Sequence, residues 1–119
     1  MLTISPAAKV YLSISPVDFR KQIRGLKKLV QDEMKLNPFS NAYFFFLSRN
    51  RKAIKILHFD GQGMCLYWKI LSKGAFQKWK ILYDTSMSYL NVHPTEAQVM
   101  LMNGNSHQLQ IPVNWKDFS

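Results

Sequence analysis

Between Tyr43 and Leu71 the chain carries three strongly apolar runs, Tyr43–Ser48, Ala53–Phe59 and Met64–Leu71. Only Arg49-Asn50-Arg51-Lys52 and Asp60-Gly61-Gln62-Gly63 separate them. Parallel strands need a crossover of about a dozen residues or more, which neither gap can hold. Short gaps rich in Asn, Asp and Gly instead close hairpins. The three runs are therefore expected to form an antiparallel meander, around which the rest must be arranged. Shorter strand candidates lie at Lys9–Ile14, Phe76–Leu82 and Tyr89–Val92.

Ahead of the meander, Ser15-Pro16-Val17-Asp18 has the chemistry of a helix start. Ser15 can cap, Pro16 suits the first helical position, and Asp18 can return a hydrogen bond to the cap. The pattern predicts a helix from Ser15 to about Lys35, stopped by Asn37-Pro38. At about 100° per residue, Phe19, Ile23, Leu26, Val30 and Met34 share one face, and Arg20, Arg24, Lys27, Lys28, Gln31 and Lys35 the other. Near the end, Thr95-Glu96-Ala97-Gln98 reads as a capping box opening a short helix, with Gly104 at its stop. The expected fold is one α+β domain over residues 1–104, with residues 105–119 as a C-terminal arm. A long N-terminal amphipathic helix would pack through Phe19, Ile23, Leu26 and Val30 on an antiparallel β-meander, followed by a short C-terminal helix.

A chain of 119 residues with 47% hydrophobic residues is one globular domain rather than a disordered segment. Its 16 Lys and Arg against 7 Asp and Glu give a net charge of +9. Such an excess attracts nucleic acid or acidic surfaces and says nothing about fold. The single cysteine, Cys65, cannot form an internal disulfide, which fits a reducing compartment. The start, MLTISPAAKV, lacks the charged and apolar regions of a signal peptide. The longest apolar run, Ala42–Leu47, is far shorter than the roughly 20 residues that span a bilayer. A soluble cytoplasmic protein with no membrane partner is expected.

Catalytic chemistry is hard to assemble. The carboxylates are Asp18, Asp32, Glu33, Asp60, Asp84, Glu96 and Asp117, most of them at helix ends or in turns, so a two-metal nuclease site has no obvious ligand set. His58, His93 and His107 fit no zinc spacing, and Cys65 lies in an apolar strand where a thiol behaves as a small hydrophobe. The Asp60–Gly63 stretch lacks the phosphate-loop patterns and reads as a hairpin turn. No catalytic residue, metal or cofactor is expected.

What remains is the basic surface. One patch is the outer face of the expected helix, with Arg20, Lys21, Arg24, Lys27 and Lys28. A second is the turn Arg49, Arg51 and Lys52, joined by Lys55, and a third holds Lys69, Lys73, Lys78 and Lys80. Tyr67, Trp68, Phe76 and Trp79 are interleaved with them. Cations suit phosphates and rings suit bases, although such aromatics also build cores. Roughly six phosphate contacts would give a log–log salt slope of about −5. No base-reading element stands out, so weak sequence preference is expected. The alternative is a protein-interaction adaptor using an apolar patch around Tyr83, Tyr89, Trp115 or Phe118.

The order of motifs is informative. Asp18-Phe19-Arg20-Lys21, Gly25-Leu26, Leu29-Val30, Asn37-Pro38-Phe39-Ser40, Ile54-Lys55-Ile56-Leu57, Asp60-Gly61-Gln62-Gly63, Cys65-Leu66-Tyr67-Trp68-Lys69 and Gly74-Ala75-Phe76 follow one another. The series resembles the TnpB, or Orf-two-like, accessory family of the insertion-sequence-66 type of bacterial transposons. The resemblance runs from about Val10 to Gly104. Phe19, Gln22, Arg24, Phe59, Ser72 and Trp79-Lys80 depart from the family's usual residues, mostly toward more positive charge. The resemblance implies a helper encoded beside a separate catalytic transposase, and the cytoplasm expected above is then bacterial, with association with the nucleoid left open. DNA and the element's transposase and other proteins are its implied partners. Arg20 and Lys21 are carried over as motif residues, and no catalytic residue is.

Overall fold

The aromatic run Tyr43–Leu47 (β2) lies at the centre of a sheet because both of its faces are covered. A strand buried on both sides reads as a continuous apolar run, not as an alternation. The computed structural model describes residues 2–76 and 88–103. Its elements are β1 (Val10–Ser13), α1 (Ile23–Asp32), β2, β3 (Ala53–Phe59), β4 (Met64–Ile70), β5 (Tyr89–Val92) and α2 (Pro94–Asn103). The sheet has five strands in the order β4-β3-β2-β1-β5. β2, β3 and β4 pair antiparallel, with Phe45 opposite Ile56 and Ile56 opposite Tyr67. β1 runs parallel to β2, Leu12 beside Phe45, and antiparallel to β5.

Alternate residues of β2 feed two cores. Phe44 and Phe46 meet Leu26, Val30 and Met34 from α1 and the residues that follow it. Phe45 and Leu47 join Val10, Ile54, Ile56 and Phe76 with Ala97, Met100 and Leu101 of α2. One short helix therefore covers each face. The expected architecture, a long N-terminal helix on an antiparallel meander, is not what forms. β1 inserts between β2 and β5, making the sheet mixed, and the helix is confined to Ile23–Asp32.

The reason lies in Ser15–Gln22. Val17 donates its N–H to the Leu47 carbonyl at 3.1 Å, which draws this stretch across the end of the sheet. Asp18 Oδ1 accepts the Arg20 N–H at 2.9 Å, and the Asp18 carbonyl accepts the Lys21 N–H at 3.0 Å. Lys55 Nζ donates to the carbonyls of Phe19 and Lys21 at 2.9 and 2.8 Å. In a continuous helix those carbonyls would accept from Ile23 and Gly25. Side-chain and tertiary partners have replaced the first turns of the expected helix.

At its other end α1 closes with the Leu36 N–H on the Val30 carbonyl at 3.0 Å and Lys35 left-handed at φ 59°. Glycine is the residue that takes this conformation without strain. Lys35→Gly is expected to stabilise the fold by about 0.5–1 kcal/mol, checked by urea unfolding.

The second helix starts two residues earlier than the Thr95 box suggests, at Pro94 rather than Glu96. His93 Nδ1 accepts the Thr95 N–H at 3.1 Å. Gln98 turns away from any capping role, accepting the Ile4 N–H at 2.7 Å and donating to the Leu2 carbonyl at 3.0 Å. It thereby fastens the N-terminal segment over the α2-side core. The expected strand at Phe76–Leu82 beyond Phe76, the Gly104 stop and the arm at 105–119 lie outside the described residues.

Candidate nucleic-acid interface

β1 and β2 are parallel, so their C-terminal ends share one end of the sheet. Three segments meet there. The first is Val17–Gln22, tied to Leu47 and to Lys55. The second is the β2–β3 turn. The third is the stretch after β4, where Leu71 N–H donates to the Lys52 carbonyl at 2.8 Å and Phe76 N–H to the Arg51 carbonyl at 2.6 Å. α1 also begins at this end, because it must return the chain to the start of β2.

The β2–β3 turn is held from within. Asn50 Oδ1 accepts the Lys52 N–H at 3.0 Å and the Ser48 hydroxyl at 2.9 Å, and Ser48 Oγ accepts the Ala53 N–H at 3.1 Å. Arg51 adopts φ 61°. With the local polar groups occupied, Arg49 and Lys52 project to solvent. A groove of about 440 Å³ separates Val17–Arg20 from Ser48–Asn50.

The fold thus gathers Arg20, Lys21, Arg24, Arg49, Arg51, Lys52 and Lys73 at one end, all exposed except the half-buried Arg51. Asp18 is the described carboxylate that shares this end, and it is paired with Arg20 at 2.7 Å. Among the described residues the other carboxylates lie toward the opposite end. Asp32 and Glu33 are at the close of α1, Asp60 is in the β3–β4 turn and Glu96 is in the first turn of α2. The charge is therefore polarised along the strands.

The Arg20 side chain, through a charge-assisted hydrogen bond, and the Arg20 N–H hold the Asp18 carboxyl at about 2. Its folded value lies below the unfolded one, so its contribution to stability is full above pH 4 or so and is lost as pH falls toward about 2. Asp18→Asn is expected to melt below wild type at pH 6, with the gap closing by pH 2 in a circular-dichroism melt. Asp60 is also held below its ordinary value, by the N–H groups of Gly63 and Gln62. Cys65 is pushed up, by desolvation first and then by the adjacent Asp60, to which its thiol donates at 3.5 Å. A thiol so raised is a poor nucleophile.

Four residues in the expected basic patches sit differently. Lys55 is fully buried in β3, with its ammonium 4.3 Å from the Trp68 ring centre and 5.1 Å from that of Phe19. Burial lowers its pKa, with Asp18 opposing the shift. This corrects the expectation that Lys55 belongs to the exposed turn patch, because it braces the turn from beneath. Its signal in the sequence is a lone cation within AIKILHF, a run apolar on both strand faces. Lys69 points to the α2 face and donates to the Leu101 carbonyl at 2.5 Å. Lys27 and Lys28 lie along the flank of α1, and the Lys27 ammonium rests 5.4 Å from the centre of the Phe39 ring. Of the apolar residues considered for a protein contact, Tyr89 meets Tyr11 edge-on, and Tyr83, Trp115 and Phe118 lie outside the described residues, as do Lys78 and Lys80.

Residues 8–110 match the family model described as IS66 Orf2 like protein. The chain belongs to this family. Two curated relatives from Sinorhizobium fredii, the uncharacterized proteins y4hO and y4jC, are 34% and 30% identical to this IS66 Orf2-like chain over 76 residues. The matches cover 64% of this chain and 66% and 65% of the relatives, just under two thirds of their length. No solved structure matches it. Family membership associates the chain with the IS66 type of insertion sequence. Among the described residues of this IS66 Orf2-like protein, no three His, Cys, Asp or Glu side chains are grouped to hold a metal. None of its described helices is long and apolar enough to cross a membrane.

Proposed function

We propose that this IS66 Orf2-like protein binds DNA without catalysing a reaction on it, gripping phosphates with the cationic end of its sheet. The contacts are Arg20, Lys21, Arg24, Arg49, Arg51, Lys52 and Lys73. DNA and the transposase of the same element are its partners in this reading. One observation carries it. Seven Lys and Arg from separate stretches of sequence converge on one end, while the described carboxylates other than Asp18 lie toward the other. A scattered surface excess would leave both ends alike. Phosphate contacts position a protein on DNA without reading sequence, which fits a surface made of charge and backbone turns.

Fluorescence-anisotropy titration of a labelled random-sequence duplex at several salt concentrations tests the reading. Micromolar binding is expected, weakening with salt along a log–log slope of about −5, because Arg20 is already paired with Asp18 and about six cations are left to neutralise phosphates. A folded sample that fails to bind at low salt would contradict it.

A further inference from the structure

Among the described residues β4 is the last strand of the sheet on its side, and its α1-facing residues change character along its length. Met64 and Leu66 pack into the core beneath α1. Trp68 and Ile70, the next two on that face, are 49% and 64% exposed. An exposed Trp followed by an exposed Ile on a terminal strand is costly to leave uncovered in water.

The Trp68 ring is held in place. Its inner side faces the Lys55 ammonium at 4.3 Å, and Phe19 meets it at 78° with ring centres 6.2 Å apart. The same ammonium is bound to the carbonyls of Phe19 and Lys21. The ring is thus fixed to the segment that bears Arg20 and Lys21. Ile70 lies opposite Ala53, next to Lys52 and a short step from Lys73. Among the described residues the charged groups around the exposed ring are cations, and the nearest carboxylate, Asp18, is paired with Arg20. A cation against one face also draws electron density from the ring, which favours an electron-rich partner on the other.

The geometry points to Trp68 as a stacking platform for an unpaired base, so that the cationic end takes single-stranded DNA as well as duplex. In a duplex the base faces are hidden, and only the phosphate contacts are available. A single strand offers its phosphates to Lys21, Lys52 and Lys73 while one base lies on Trp68, with Ile70 against the neighbouring sugar or base. Sequence-tolerant stacking of this kind adds to a charged groove in single-strand binders. The inference rests on the DNA-binding reading above and adds the form of DNA that the site prefers.

The test compares a labelled thymidine homo-oligomer with a duplex of equal length, using wild type, Trp68→Ala and Trp68→Phe. Trp68→Ala is expected to weaken single-strand binding about tenfold or more and to change duplex affinity less than about twofold. Trp68→Phe, which keeps a ring and protects the fold, should retain most of the affinity. It should also lose most of the tryptophan quenching that the oligomer causes in wild type. Quenching that survives Trp68→Phe in full, or single-strand affinity indifferent to Trp68→Ala, overturns the platform while leaving duplex binding intact. Self-association that depends on Trp68, with unchanged single-strand affinity, overturns it in favour of pairing between copies. A folded wild type that binds neither form overturns the DNA reading and the platform with it.

Discussion

Lys55→Ala is expected to destabilise the fold by about 3 kcal/mol or more, although it removes a charge from a protein with too many of one sign. The truncation takes away about three buried methylenes, at about 0.8 kcal/mol each. It also leaves the carbonyls of Phe19 and Lys21 without the donor that holds them at 2.9 and 2.8 Å. Each part-buried acceptor left without its donor costs up to roughly 1 kcal/mol. Against this stands the release of a desolvated ammonium, which explains why the sum is not larger. For a domain of this size the melting temperature should fall by about 10–15 °C. Lys55→Met keeps the stem and loses only the donor, so its effect should be smaller, about 1–2 kcal/mol. A Lys55→Ala protein that melts within a degree or two of wild type would show that the Phe19–Lys21 segment is held by other means.

The same residue sets a pH dependence. Burial puts the folded pKa of Lys55 below its unfolded value. The unfolded chain therefore binds more protons in the interval between the two, and stability rises with pH through that alkaline window. Lys55→Met should remove this rise.

Combined Lys21→Ala, Arg49→Ala and Lys52→Ala changes are expected to weaken duplex binding by roughly a hundredfold or more near 0.1 M salt. Removing one phosphate-neutralising side chain should also reduce the magnitude of the salt slope by about 0.9, so removing three should bring a slope near −5 to between about −2 and −3. All three side chains are exposed. The variant should therefore melt close to wild type, which separates it from Lys55→Ala. Weaker binding with an unchanged slope would mean that these side chains act other than by neutralising phosphates.

The strands are legible in the sequence where turn chemistry is local. Asn50 and Asp60 close their turns by side-chain hydrogen bonds to nearby backbone, and β2, β3 and β4 follow. The long helix is expected and does not form because Ser15, Pro16 and Asp18 are good helix-start residues only in isolation. What overrides them comes from distant residues, the Leu47 carbonyl and the Lys55 ammonium, which no local pattern exposes. The parallel β1–β2 pairing is hidden for the same reason. Its register is fixed across the sheet and not by a turn. In the basic surface, residue type is legible and direction is not. Lys55 and Lys69 carry the same charge as Lys52 and Lys73, yet strand position turns one inward and aims the other at the Leu101 carbonyl. Trp68, grouped by sequence with aromatics that more often build cores, is half exposed on β4, which among the described residues has no neighbouring strand on its outer side.

The decisive measurement is a comparison at fixed net charge. In one variant Lys21, Arg49 and Lys52 at the cationic end are replaced by Ala. In the other, Lys9, Lys28 and Lys35 on the helix flank and at the opposite end are replaced by Ala. Both are titrated against the same labelled duplex at one salt concentration. Polarised charge requires the first to bind roughly a hundredfold more weakly than wild type and the second less than about fivefold more weakly. Equal weakening would mean that the protein meets DNA through its overall charge and that the cationic end is not a site.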